Sequence, residues 1–397
     1  MAPIFRTTAL VAALLAAACG GSGDPAPTAP ATAEQTGTPA ATPAALTDGP
    51  AADAVEAVTV ATGLRSPWGL VFLPDGRALV TEKAGTLRIV GTDGTVSAPI
   101  GGGPAVSSEG QGGLLDVTLS PTFATDRTIW FTFAEPAGTG LSRTAVGRAV
   151  LGRTSLEQVQ VVFRQQPAMP GSLHYGARLR FAADGTLFVG LGERNERDRA
   201  QRLDNHLGKV VRIRTDGTAP PDNPFVGRTD ALPEIWSYGH RNVQGATIDA
   251  STGALWLVEH GPRGGDEVNR PGPATNQGWP VVGYGLEYGT GAPVGEATTR
   301  ADIAGPLHVW QPVSIAPSGM TFYTGDRIPQ WRGDLLVGAL AGRMLVRLDV
   351  QDGRVVGEQR LLTGLGERIR DVKVGPDGWP WLITDSPEGR LMRVQLR

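Results

Sequence analysis

Asp377-Gly378-Trp379-Pro380-Trp381-Leu382-Ile383-Thr384, followed after Gly389 by Leu391-Met392-Arg393-Val394, is the stretch on which the fold turns. An Asp-Gly turn opens a short apolar strand, a second turn follows, and another short strand leaves it. The same order recurs upstream. Pro74-Asp75-Gly76 leads into Ala78-Leu79-Val80-Thr81 and, past Gly85, into Leu87-Arg88-Ile89-Val90. Ser120-Pro121 leads past Asp126 into Ile129-Trp130-Phe131-Thr132-Phe133, and Asp184-Gly185 opens Leu187-Phe188-Val189-Gly190-Leu191. Asp249 to Gly253 opens Leu255-Trp256-Leu257-Val258. Trp331-Arg332-Gly333-Asp334 opens Leu335-Leu336-Val337 and, after Gly342, Leu345-Val346-Arg347-Leu348. Six such units, roughly 45 to 80 residues apart, fall in the range of propeller blades or somewhat above it. The strands alternate only loosely, as they should when both faces of a sheet are covered. No long segment carries a 3.6-residue period. The pattern predicts an all-β, six-bladed β-propeller. Residues 100–116, 193–246 and 260–318 read as long insertions that gather on one face around the central channel.

The composition agrees. Among 397 residues there are 55 Gly and 31 Pro, and only 19% are charged, too much punctuation for a helical bundle or coiled coil. Lys+Arg 36 against Asp+Glu 39 leaves a net charge of -3, which excludes a general nucleic-acid binder. With one Cys, neither an intrachain disulfide nor a cysteine metal cluster is possible.

The N-terminus reads as an address. A weakly positive start at residues 1–6 is followed by an apolar run over 9–18, too short to span a bilayer but suited to a secretion signal. The run ends in Ala16-Ala17-Ala18-Cys19-Gly20-Gly21. This resembles a bacterial lipoprotein signal, in which Cys19 would become the lipidated end; an ordinary cleaved signal is the other reading. Residues 20–54 are rich in Ala, Thr, Pro and Gly and predict a disordered tether. The expected chain is therefore exported, periplasmic or on the cell surface, touching a membrane only through its N-terminal lipid. The folded domain is expected over 55–397.

Chemistry is concentrated in the insertions. His174, at a loop-to-strand junction in Ser172-Leu173-His174-Tyr175-Gly176, could act as a base near neutral pH or be a hydrogen-bonded loop residue. Arg368-Ile369-Arg370 places two guanidinium groups on one side of an extended strand. With Arg241 they could bind a ligand bearing several carboxylates or phosphates, or be paired with Asp371, Glu367 or Asp385. Glu259-His260-Gly261-Pro262-Arg263-Gly264-Gly265-Asp266-Glu267 offers the hard oxygens that Ca²⁺ takes, or is a solvated acidic turn.

Together these strings carry a resemblance. Gly110-Gln111-Gly112-Gly113, His174-Tyr175-Gly176, Gly239-His240-Arg241-Asn242, Glu259-His260-Gly261-Pro262, Asn276-Gln277-Gly278-Trp279-Pro280, Ala316-Pro317-Ser318-Gly319 and Arg368-Ile369-Arg370-Asp371 occur in this order. From about residue 56 to the end the chain resembles the glucose/sorbosone dehydrogenase family, in its soluble aldose sugar dehydrogenases that depend on pyrroloquinoline quinone (PQQ). The resemblance implies a propeller with the quinone over the channel mouth and an aldose sugar oxidised at C1 to the lactone. It implies that His174 takes the proton of the anomeric hydroxyl as hydride passes from C1 to the quinone, with Glu193 supporting it, and that electrons go on to an external acceptor. Gln111, Gln201, Arg241, Asn242, Tyr288, Arg368 and Arg370 would hold PQQ. Main-chain oxygens of Gly261 and Pro262 would hold Ca²⁺ beside it, and Glu267 with the Gln277 main chain a second Ca²⁺. Two departures mark this chain. Leu173 replaces an Asp of the glucose dehydrogenase branch, and Ala339-Leu340-Ala341-Gly342 lacks that branch's Lys, for which Arg343 could substitute if it points inward. The missing Lys leaves a non-catalytic ligand- or protein-binding propeller as one alternative. A Ca²⁺-dependent lactonase-type hydrolase on the same architecture is another.

Overall fold

The structure is a computed structural model that describes residues 44–46 and 48–397. The expected signal sequence and most of the expected tether lie outside the described residues. Among the described residues, six antiparallel sheets follow one another along the chain and form a six-bladed β-propeller. The innermost strands, in blade order, are Pro67–Phe72, Leu114–Leu119, Gly176–Phe181, Val243–Ile248, Pro317–Phe322 and Ile369–Val374. Each lies beside the next, and the sixth returns to the first to close the ring. Blade 6 takes its outermost strand, Val55–Leu64, from the other end of the chain, so the ring is closed by pairing within one sheet. No described helix is long and apolar enough to cross a membrane.

The core explains why the strands alternate so loosely. It divides into clusters at the seams between blades. Leu79 and Leu87 meet Phe131 and Phe133 between blades 1 and 2. Trp256 and Val258 meet Val337 and Val346 between blades 4 and 5, and Leu336 and Leu345 meet Leu382 and Met392 between blades 5 and 6. A strand such as Leu187–Leu191 or Leu335–Ala339 is buried at every position because each face packs on a different blade.

Two expectations need correction. The stretches 193–246 and 260–318 are not pure insertions. They contain the outer strands Lys209–Ile213 and Ile235–Tyr238 of blade 3, and Asp266–Asn269 and His308–Trp310 of blade 4. These strands carry buried polar residues such as Lys209, Arg212 and Asp266, which disguise them. The ordered chain also begins before residue 55. Ala44–Ala45 adds a parallel strand to the edge of blade 5. The main-chain oxygen of Asp48 accepts a bond of 2.8 Å from Arg347, and Pro50 O accepts one of 3.1 Å from Gln359. A chain starting at residue 55 should therefore be less stable than one starting at 44, by about 2–4 kcal/mol, because at least five hydrogen bonds are lost: Arg347 to Asp48 O and Oδ2, Gln359 to Pro50 O, Leu46 N to Glu358 O and Arg397 N to Ala54 O. Equal urea midpoints for the two truncations would show that the strap is idle.

Every inner strand has a register shift near its start: Pro67/Leu70, Leu114/Val117, Gly176/Arg178, Val243/Gly245, Pro317/Met320 and Ile369/Asp371. A bulge re-aims side chains and is common beside active sites. All six lie at the same end of the inner strands, and the loops entering these strands share one face of the propeller. That face carries the candidate site.

Candidate active site

His174 stands at the entrance to the inner strand of blade 3, 7% exposed, with a left-handed backbone at φ 50°. Its main-chain N–H donates to Gln111 Oε1 at 2.8 Å, so Gln111 holds the backbone of the histidine. Its Nδ1 lies 3.0 and 2.9 Å from the two oxygens of Glu193. The Glu193 carboxylate also accepts the Asn195 N–H, and the Glu193 N–H donates to Arg241 O at 3.0 Å. A carboxylate at Nδ1 makes that nitrogen the proton-bearing one and leaves the lone pair on Nε2. Gly192 is required beneath the pair, because a Cβ there would overlap the His174 carbonyl. The expected His174–Glu193 partnership is thus present in the geometry.

Arg241 enters from the next blade. Its main-chain N–H donates to Glu259 Oε2 at 2.8 Å, its side chain donates to His260 O at 2.9 Å, and its guanidinium lies 5.2 Å from the Trp279 ring centre. Burial lowers its pKa, yet its Nε is buried without a partner. Asn242 is in the same condition. Its Oδ1 accepts from Gly176 N at 3.1 Å, while its buried Nδ2 has no partner. Because Gly176 N can only donate, the amide orientation is settled and Nδ2 is a donor left over. Two unpartnered donors on neighbouring residues call for an anionic or carbonyl-rich ligand.

Arg368 and Arg370 do share one side of their strand, and both reach Asp385. Arg368 Nε donates to Asp385 Oδ2 at 2.8 Å, and Arg370 holds Oδ1 at 2.9 Å through a terminal nitrogen. Burial pushes the Asp385 carboxyl up, but Arg370 and Arg368 together hold it below its ordinary range. One of the two sequence alternatives, pairing with Asp385, is therefore realised. It does not exhaust the positive charge, since two arginines face this one carboxylate and the side chain of Arg368 is 42% exposed. Lys83, which sequence reasoning missed, adds to the charge felt by Arg370 and Asp385 and has its pKa lowered by burial and by Arg370.

The remaining candidates divide. Tyr288 is 69% exposed on the rim. Gln201 is committed elsewhere: its Nε2 donates to Asn276 Oδ1 and Trp279 O, and its Oε1 accepts from Asn276, so its side chain fastens a loop rather than facing a ligand. Arg343 is exposed and reaches Gly366 O at 3.4 Å, while Ala339 and Leu340 are buried, so no cation fills that corner.

Gly261, Pro262 and Glu267 line one small cavity with Glu259, His260 and Tyr284, large enough for one ion or water. Gln277 is not among its lining residues; its N–H is bound to Tyr238 O at 2.8 Å. Burial, and then the charge of Glu259, push Glu267 up to about 8. Asn269 bridges the two carboxylates, donating to Glu259 at 2.6 Å and Glu267 at 3.0 Å, and its Oδ1 is buried without a partner. Oxygen donors with an excess of buried negative charge suit a hard cation. Among the described residues no three His, Asp or Glu side chains converge on a metal position, so main-chain oxygens would have to complete the shell.

The family model for Glucose / Sorbosone dehydrogenase matches residues 64–393. Aldose sugar dehydrogenase YliI of Escherichia coli (strain K12) is 43% identical over 338 residues, covering 84% of this chain and 91% of the relative. The crystal structure of the soluble aldose sugar dehydrogenase from Escherichia coli in the apo-form is 41% identical with a TM-score of 0.84, covering 86% of this chain and 100% of that one. The PQQ-bound form of aldose sugar dehydrogenase from Streptomyces coelicolor is 29% identical with a TM-score of 0.72, covering 88% of this chain and 100% of that one.

Proposed function

The chain belongs to the glucose/sorbosone dehydrogenase family, and from that premise we propose that it is a PQQ-dependent enzyme that oxidises aldoses at C1 to lactones and passes the electrons to an external acceptor. One observation carries the reading: a carboxylate-oriented imidazole with its Nε2 free stands in the same face as two unpartnered donors, Arg241 Nε and Asn242 Nδ2. A hydrolase would have no use for that surplus of cations and donors.

The residues fit the cofactor. PQQ is a tricarboxylate, and Arg241, Arg368 and Arg370 supply charge-assisted partners for it. When bound, it supplies the quinone that accepts hydride. This chain's residues do the rest. Glu193 keeps the His174 proton on Nδ1 and stabilises the ring once it becomes cationic. His174 Nε2 accepts the proton of the anomeric hydroxyl, so that charge does not build up on the sugar oxygen. A Glu193→Gln variant should keep the contact at Nδ1 but lose the charge, lowering kcat by about 10-fold or more while the KM changes little. A kcat equal to that of the parent would remove Glu193 from the chemistry.

The oxygen-rich cavity supports Ca²⁺ held by Gly261 and Pro262 main-chain oxygens and by Glu267. Added Ca²⁺ should raise the melting temperature and EGTA should reverse the rise; a flat response contradicts a resident metal. We also infer export with a lipid on Cys19, testable by labelled fatty acid incorporation that a Cys19→Ser variant loses. For the cofactor itself, titration with PQQ should saturate at one equivalent, and absence of binding at micromolar concentration would favour a binding propeller without redox chemistry.

A further inference from the structure

Below the arginines and Asn242 lies a residue with no role assigned so far. Gln244 occupies the bulge of the blade 4 inner strand, 7% exposed. Its Oε1 accepts from Arg370 at 3.2 Å, and its Nε2 donates to Asn242 Oδ1 and to Gly176 O, both at 3.3 Å. The side chain therefore joins a guanidinium from blade 6 to an amide on its own blade and to the entry of blade 3.

The polarity of this chain of bonds is fixed at one end. Gly176 N–H can only donate, so Asn242 turns its oxygen toward blade 3 and leaves its buried NH₂ without a partner. That oxygen takes a second donor, which Gln244 supplies with its own NH₂. The Gln244 oxygen is then left for Arg370, whose guanidinium can only donate. Each group has one orientation that satisfies all its neighbours.

Arg178 anchors the arrangement from beneath. It is fully buried and donates to Gln244 O at 2.6 Å, to Arg370 O at 3.1 Å and to Asp116 at 3.1 Å. It also lies 3.1 Å from Asp371 and 4.1 Å from the Trp68 ring centre. One guanidinium thus touches the inner strands of blades 1, 2, 4 and 6 from blade 3, and it holds the main chain of two of the residues involved.

We propose that Gln244 is a positioning residue of the cofactor clamp: it sets the unpartnered donor of Asn242 and the direction of the Arg370 guanidinium, and so sets the affinity for a tricarboxylate quinone. This rests on the PQQ reading. Gln244→Glu is the sharp test, because it keeps size and shape but cannot donate to Asn242 or Gly176 and places a negative charge beside Arg370. Gln244→Met, of similar length, removes all three bonds without adding charge. The probe is PQQ itself, titrated into the full chain at two salt concentrations, with thermal unfolding measured on the same samples. The expected result is a Kd for PQQ at least about 10-fold weaker in Gln244→Glu, with a smaller loss in Gln244→Met, while melting falls by similar small amounts, about a few degrees, in both. The salt dependence should be weaker in Gln244→Glu, because one of the attracting charges has been offset. Parental protein that binds PQQ while both variants bind within twofold of it overturns the assignment. Affinity losses that merely follow a lowered melting temperature overturn it as well, since the role is then structural. Parental protein that binds no PQQ overturns the cofactor reading and this inference with it.

Discussion

A His174→Ala variant is expected to lose about 10²–10⁴-fold in kcat, the usual worth of a positioned base, while still binding PQQ and unfolding near the parental temperature. The separation of effects follows from the surroundings. The side chain bonds only to Glu193, and the Gln111 contact is to the main-chain N–H, which alanine retains. The arginines and Asn242 make no hydrogen bond to the imidazole. Rapid kinetics on PQQ-loaded protein would measure the reductive step directly. A variant with parental kcat would mean that another group takes the proton, and His260, whose pKa burial and then Arg241 lower to about 3, would be the first to examine.

The largest loss of stability is expected far from the mouth, at Arg347. Its side chain is fully buried, and its Nε donates to Asp334 Oδ2 at 2.5 Å. The terminal nitrogens reach Asp48, Gln359 and Gln330 O. Arg347→Ala leaves a cavity and an unpaired buried carboxylate, a combination that costs about 3–5 kcal/mol. Asp334 adds a pH signature. Burial holds it at about 6 even with Arg347 beside it, above the ordinary value of about 3.9. A carboxyl raised in the folded state takes stability away as pH rises between its unfolded and folded pKa values. Without Arg347 that window widens upward, so the deficit of the variant should grow from pH 5 to pH 8. Urea unfolding at those two pH values measures it. A deficit that shrinks with pH would mean that the carboxylate is stabilised by something other than Arg347.

The fold is legible in the chain because each blade announces its second strand with an Asp-Gly or equivalent turn and a run such as Leu187-Phe188-Val189-Gly190-Leu191. Strands buried on both faces have no other composition available to them. The outer strands are harder to see. Lys209–Ile213 begins with a lysine whose Nζ donates to three carbonyls, of Arg199, Ala200 and Leu207, and that compensation is invisible in one dimension. The same limit governs the site. His174, Arg241 and Asn242 stand out by motif, and the Arg-x-Arg spacing does put Arg368 and Arg370 on one side. Which carboxylate they meet depends on a loop in the next hairpin, where Asp385 sits. Gln201 looks like a ligand residue by position, but its partners are Asn276 and Trp279 in a loop more than seventy residues away. Gln244 belongs to the motif string that runs from Tyr238 to Gly245 and still receives no role from sequence, because its role lies in bonds to residues 68 and 126 positions distant. Bulges add to the difficulty, since one extra residue in an inner strand changes which side chains face the channel.

The central claim is PQQ-dependent sugar oxidation at the His174 face. Its most direct test is dye-linked oxidation of a panel of aldoses by the purified protein, with PQQ and Ca²⁺ supplied together and then omitted singly. The account predicts turnover that vanishes without PQQ and falls when Ca²⁺ is withheld. Sugar oxidation that proceeds undiminished without PQQ, or PQQ bound at one equivalent with no aldose oxidised, would contradict it.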